Sequence, residues 1–205
     1  DLHLIDENGR ELTKVRTVRM KGLRDFSEDQ NTYQLVRSFL QKNNSAYVIH
    51  GCCTRYIPSK RRADKGAVVE AFLYSYKNSG DLASKLGDAS LSMGQRQKLA
   101  GDIIRGVQYM SQEGVVHGDL KPPNIFTDRD DRGFLSAELG DLDLMHSKDT
   151  LLRGRYFGTP HYMAPEIGKG VYGKEIDIYA LGILLFEMLT GDVPFEGESS
   201  QEIIM

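Results

Sequence analysis

At Asn78-Ser79-Gly80-Asp81 the chain changes its hydrophobic period, and no other feature limits its fold as much. Upstream, short apolar stretches rich in β-branched and aromatic residues alternate with turn signals. Leu2-His3-Leu4-Ile5 runs into a turn at Glu7-Asn8-Gly9-Arg10, and Val15 to Met20 alternates apolar and polar residues, the pattern of a hairpin or meander. Ala46 to Cys53 and Val68 to Tyr76, parted by the charged loop Pro58-Ser59-Lys60-Arg61-Arg62, predict a second hairpin. One helix is expected between the two: Ser27-Glu28-Asp29-Gln30 has the form of a capping box, and Tyr33, Val36, Phe39 and Leu40 recur at helical spacing until Asn43-Asn44. Downstream the period is helical, most clearly after a further box at Ser92-Met93-Gly94-Gln95, with Leu99, Ile103, Val107 and Met110 on one face. The pattern predicts an α+β chain, with a small β-rich part over 1–77 and a mainly helical part over 78–205.

Bulk properties narrow the functional classes. A net charge of −3 and a pI near 6.0 give no electrostatic footprint for nucleic acid or an anionic membrane. The longest apolar run, Ile176 to Leu189, carries Asp177 and Glu187 and falls short of the about 20 residues that cross a bilayer, so it is expected to be a buried helix. Cys52 and Cys53 are adjacent and cannot staple distant segments, which predicts reduced thiols. The N-terminus shows neither a basic region nor an apolar core of a signal peptide, and a cytoplasmic location is expected. Lys60-Arg61-Arg62 is read as a solvated loop.

The segment Val116-His117-Gly118-Asp119-Leu120-Lys121-Pro122-Pro123-Asn124-Ile125-Phe126 follows the long helix and crowds a carboxylate, an ammonium and an amide into one loop. Leu139-Gly140-Asp141-Leu142-Asp143-Leu144 comes next, then Gly158-Thr159-Pro160-His161-Tyr162-Met163-Ala164-Pro165-Glu166, then Asp177 to Gly182 opening an apolar helix closed by Gly191-Asp192-Val193-Pro194-Phe195. In that order the four strings resemble the catalytic loop, the magnesium-binding element, the end of the activation segment and the central helix of eukaryotic protein kinases of the Ser/Thr type. The resemblance implies a bilobal protein-kinase-like fold over 1–205, with partial N- and C-lobes, and transfer of the ATP γ-phosphate to a protein Ser or Thr with Mg²⁺. It gives Asp119 the role of catalytic base and Lys121 that of the cation at the transferring phosphate, with Asn124 and Asp141 as magnesium ligands. Lys21, in Thr17-Val18-Arg19-Met20-Lys21, would grip the α- and β-phosphates. Tyr76 to Gly80 would be the hinge, with Tyr74 setting the depth of the adenine pocket. Lys121 and Thr159 favour Ser/Thr over Tyr as acceptor.

Several positions depart from that family's pattern. Gly118 replaces the arginine before the catalytic aspartate, so no guanidinium is available there for a phosphorylated activation loop, although Ser147, Thr150 and Tyr156 are candidate phosphosites. Leu142 and Asp143 stand where Phe and Gly are usual; Leu142 is expected to pack as the ring would. Asp143 is expected to stiffen a turn that is normally free, with a role as an extra metal ligand as the alternative. No acidic residue occurs between Asp29 and Asp64, so Lys21 lacks a mid-helix glutamate; Glu28 is the nearest substitute and Lys14 a rival lysine. Gly9 stands alone before Gly22, and no glycine-rich phosphate loop is present. The resemblance thus implies a catalytic domain cut short at both ends. These departures keep a pseudokinase, a nucleotide-binding or scaffold module, open beside the active enzyme. His117-Gly118-Asp119-Leu120 also resembles the loop of aminoglycoside and choline kinases, against which the Thr159 to Glu166 string and Lys121-Pro122 argue.

Overall fold

The computed structural model describes residues 21–22, 30–56, 69–74, 77–87, 91–153, 159–197, 199 and 202–203, of which 21–22, 30, 51–56 and 69–74 by backbone alone. The expected hairpin of Leu2 to Met20, Lys14, Glu28, the Lys60-Arg61-Arg62 loop, Tyr76 and Tyr156 lie outside the described residues, and Lys21 and Tyr74 are placed by backbone alone. Two compact units emerge, one from residues up to Asn44 together with Ile49 to Tyr76, the other from Ser45 to Val48 and Lys77 onward.

In the first unit, α1 (Gln30–Lys42) buries Tyr33, Val36, Phe39 and Leu40, the stripe expected from their spacing, and ends with Lys42 beside the negative end of the helix dipole. β1 (Lys21–Gly22), β2 (Gly51–Tyr56) and β3 (Val69–Tyr74) form an antiparallel sheet in the order β1-β3-β2, with Lys21 and Cys53 both opposite Phe72. The strand begins at Gly51 rather than Ala46. Tyr47 and Val48 instead join the second unit, where Val48 bridges Leu139 in parallel and the Tyr47 carbonyl accepts from Leu139 N–H at 2.9 Å.

The second unit is built on α3 (Met93–Gln112), preceded by the short α2 (Ala83–Leu86). Its capping box is formed as read: Ser92 Oγ accepts from Gln95 N–H at 3.3 Å, and Gln95 Oε1 accepts from Ser92 N–H at 3.0 Å. Leu99, Ile103, Val107 and Met110 are all buried. β4 (Val115–Val116) follows and pairs with β7 (His146–Ser147). Between them lies the antiparallel hairpin of β5 (Ile125–Arg129) and β6 (Leu135–Leu139), registered Ile125 to Leu139. Asp130 Oδ1 shapes its tip by accepting from Arg132 and Phe134 N–H at 3.0 and 2.8 Å. The other edge of β5 is taken by residues 78–82, through Ser79 N–H to Thr127 O at 3.2 Å, Thr127 N–H to Gly80 O at 2.7 Å and Leu82 N–H to Ile125 O at 2.8 Å. The ammonium of Lys77 pairs with the Glu138 carboxylate on β6.

β8 (Leu152–Arg153) pairs with β9 (Val171–Tyr172), and α4 (Pro165–Gly168) lies between them in sequence. Val116, Met163, Ala164, Ile167, Tyr172 and Ile176 make one core cluster. The apolar run forms α5 (Glu175–Thr190), stopped by Gly191 at φ +90°, and Arg96 of α3 donates to the Met188 carbonyl of its last turn at 2.8 Å. Only part of its surface is covered: Ile176, Ala180, Ile183, Leu184 and Met188 are buried, whereas Ile178, Phe186 and Leu189 are exposed. The expectation of a wholly buried helix is therefore corrected, because its apolar residues surround the axis while its neighbours in this unit cover one side.

Candidate active site

β4 delivers the chain to His117 and Gly118, and a carboxylate from another element fixes both. Asp177, in the first turn of α5, accepts from His117 N–H at 2.7 Å with Oδ2 and from Gly118 N–H at 2.9 Å with Oδ1. Burial pushes the Asp177 carboxyl above its ordinary value, while the backbone donors of Gly118 and His117 draw it back. The His117 ring is itself fully buried. Its Nδ1 accepts from Asp119 N–H at 3.3 Å, so the proton sits on Nε2, which donates to Gly140 O at 2.9 Å.

Around Asp119 the expected residues converge. Lys121 Nζ lies 2.8 Å from Asp119 Oδ2. Asn124 Nδ2 donates to the same Oδ2 and to the Asp119 carbonyl, each at 2.9 Å. Asn124 closes a 3₁₀ turn, Pro122–Asn124, just before β5, and Gly140 follows the end of β6; Gly140 N–H donates to Asn124 O at 2.9 Å. Asn124 and Asp141 therefore leave the same end of one hairpin. Asp141 is held at φ 62°, ψ 65°, the single described non-glycine residue at positive φ, a conformation that costs about 1–2 kcal/mol and persists only where the surroundings enforce it.

This donor set fits a magnesium ion. The nitrogen side of the Asn124 amide is engaged by Asp119, which leaves Oδ1 as its ligating atom, and the Asp141 carboxylate supplies a second hard oxygen donor. Among the described residues no three His, Cys, Asp or Glu side chains gather as a metal cage. Two protein oxygens suit Mg²⁺, which keeps waters and takes the remaining ligands from phosphate.

Two of the positions that depart from the family pattern gain detail here. Asp143 lies in the 3₁₀ turn Leu142–Leu144, with negative φ, so the aspartate where glycine is usual costs no backbone strain; the left-handed residue is Asp141. Gly118 is more than a missing guanidinium. At φ +82° it passes so close to the 3₁₀ turn Leu142–Leu144 that a β-carbon would lie 2.6 Å from Leu144 O. Leu142 is fully buried, as expected. Ser147 is part-exposed and Thr150 exposed.

Asp119 lines a shallow, open pocket together with Gly118, Thr159, Tyr162, Met163 and Ala180. The Tyr162 hydroxyl donates to Glu187 Oε2 at 2.5 Å; burial first, then that hydrogen bond and the carboxylate's charge, raise the phenol far above its ordinary 10.0. Burial and the charge of Glu166 also raise Tyr179. Sequence reasoning assigned no role to Asp177, His117 or Tyr162. The available signal for Asp177 was a carboxylate between two isoleucines at the start of a mainly apolar helix.

A family profile described as "Protein kinase domain" matches residues 64–205. A "cGMP-dependent protein kinase" of Plasmodium berghei is 32% identical over 94% of this chain, and "Protein kinase C delta type" of Mus musculus is 34% identical over 64%. A "Dual serine/threonine and tyrosine protein kinase" of Takifugu rubripes is 31% identical over 62%. The chain spans 22, 20 and 13% of the length of these three relatives. With matching motifs, matching order and a family profile over most of its length, the chain belongs to the protein kinase domain family.

Proposed function

We propose that this chain is the catalytic part of a Ser/Thr protein kinase that transfers the γ-phosphate of ATP to a protein hydroxyl with Mg²⁺. The observation that carries the proposal is the convergence of Lys121 and Asn124 on the Asp119 carboxylate, with Asp141 leaving the same hairpin end as Asn124. In this reading Asp119 orients the acceptor hydroxyl and receives its proton, and Lys121 stabilises charge on the transferring phosphoryl group. Asn124 Oδ1 and the Asp141 carboxylate hold the metal, which when bound neutralises the phosphate oxygens. The Nε2 proton of His117 fixes Gly140 O, and Asp177 fixes the two amides before Asp119, so the base and the metal ligand are held from both sides before substrate arrives. The pocket beside Asp119 would receive the acceptor segment. On the nucleotide side the kinase resemblance assigns Lys21 to the phosphates and Tyr74 and Tyr76 to the adenine.

The test uses the full-length protein with labelled ATP, Mg²⁺ and a generic Ser/Thr substrate, beside an Asp119→Asn variant. The expected result is incorporation by the unaltered protein and a fall of about 10²–10⁴-fold in the variant, the usual worth of a positioned base. Equal, background-level incorporation by both would reject the proposal in favour of a pseudokinase.

A further inference from the structure

β6 ends two residues before Asp141, and its outer edge is occupied. Ala137 and Leu139 direct their N–H groups away from β5, and an edge strand with such donors buried needs acceptors for them. Ala137 N–H donates to Asp102 Oδ2 at 3.3 Å, and Leu139 N–H to Tyr47 O at 2.9 Å. Asp102 comes from the middle of α3 and is 3% exposed, far more buried than an unpartnered carboxylate tolerates. Lys98 Nζ, at 2.6 Å from Oδ2, and Arg105, at 3.4 Å from Oδ1, supply the compensating charge. Arg105 also links the two acceptors, since its guanidinium lies 5.4 Å from the centre of the Tyr47 ring. Gly106, the next residue, makes the approach possible: a β-carbon there would lie 2.8 Å from Tyr47 O and 2.7 Å from Leu139 Cγ.

We propose that Asp102, Arg105 and Tyr47 form a positioning cluster that fixes the outer edge of β6 and thereby holds Asp141 in its left-handed conformation. Gly140 is bound by Asn124 and His117, and those contacts fix the inner side of the turn. The cluster fixes the outer side, so that the strained Asp141 backbone cannot relax by letting β6 slide. None of these residues touches the reacting atoms. That the held conformation serves magnesium binding rests on the kinase reading above.

Amide hydrogen exchange on the full-length protein without nucleotide tests the cluster independently of activity. Asp102→Ala is expected to speed exchange at Ala137, Leu139 and Asp141 about tenfold, the effect of losing one buried hydrogen bond, while the amides of α5 stay within about twofold. Asp102→Asn keeps an acceptor and is expected to restore Ala137 and Asp141. Arg105→Ala is expected to loosen Leu139 and Asp141 while leaving α5 unchanged. Steady-state rates then follow, with the Mg²⁺ concentration for half-maximal rate raised about tenfold in Asp102→Ala, recovered in Asp102→Asn, and peptide KM unchanged. Unchanged exchange at Leu139 and Asp141, or exchange that rises equally along α5, overturns the proposal. Absence of phosphoryl transfer in the unaltered protein counts against the kinase reading instead and leaves the exchange pattern to decide the cluster.

Discussion

Gly118 shows how one residue type can be demanded twice. Its φ of +82° favours glycine, and the 2.6 Å from a would-be β-carbon to Leu144 O leaves no room for anything larger. Asp177 holds the backbone in that state by accepting from Gly118 N–H, so conformation and contact reinforce each other. Gly118→Ala is expected to lower stability by about 1–3 kcal/mol, strain and overpacking together, measured by urea denaturation with an unchanged slope. A midpoint equal to that of the unaltered protein would mean that the close approach is not retained in solution. The same geometry bears on regulation. An arginine placed here to capture a phosphorylated loop would first have to displace the Leu144 carbonyl, so Gly118→Arg is not a simple restoration of charge.

At the scale of elements, the helices were the most legible part of the sequence. Leu99, Ile103, Val107 and Met110 announced the buried face of α3, and Ser92 with Gln95 announced its start, because both signals are local and need no partner elsewhere. Ser92→Ala is expected to cost about 1 kcal/mol in thermal or denaturant unfolding, since it removes the acceptor for Gln95 N–H at an exposed helix start. The catalytic loop was legible for a similar reason: Asp119, Lys121 and Asn124 are close neighbours in sequence, and Lys121 and Asn124 each meet Asp119 directly. Asp177 and Tyr47 were not legible as parts of the site. Each acts on a backbone amide far away in the chain, and no spacing rule links a helix-start carboxylate to a loop that precedes it by tens of residues. Tyr47 was read as strand because an apolar β-branched run signals extended backbone and says nothing about which edge it will meet. That Asp141 is the left-handed residue of its turn was not legible, since which residue takes that conformation depends on how Gly140 is held on both sides.

Over the whole molecule, stability at high pH should carry the mark of one half-buried phenol. Tyr162 keeps its proton in the folded state well past its ordinary 10.0, while the unfolded chain releases it there, so the folded state binds the proton more tightly. Its contribution is complete below that value and is lost as pH rises through it. The urea midpoint is therefore expected to fall more steeply above pH 10 for the unaltered protein than for Tyr162→Phe. Parallel decline in the two would show that Glu187 does not hold the hydroxyl in solution. A last consequence follows from residues 45–48, which belong to the second unit although the chain on either side of them belongs to the first. The first unit is thus made of two stretches of chain separated by a segment that belongs to the second. In a nascent chain leaving the ribosome the Tyr47 carbonyl meets its donor only after Leu139 has been synthesised, so residues 45–48 are made early and dock late.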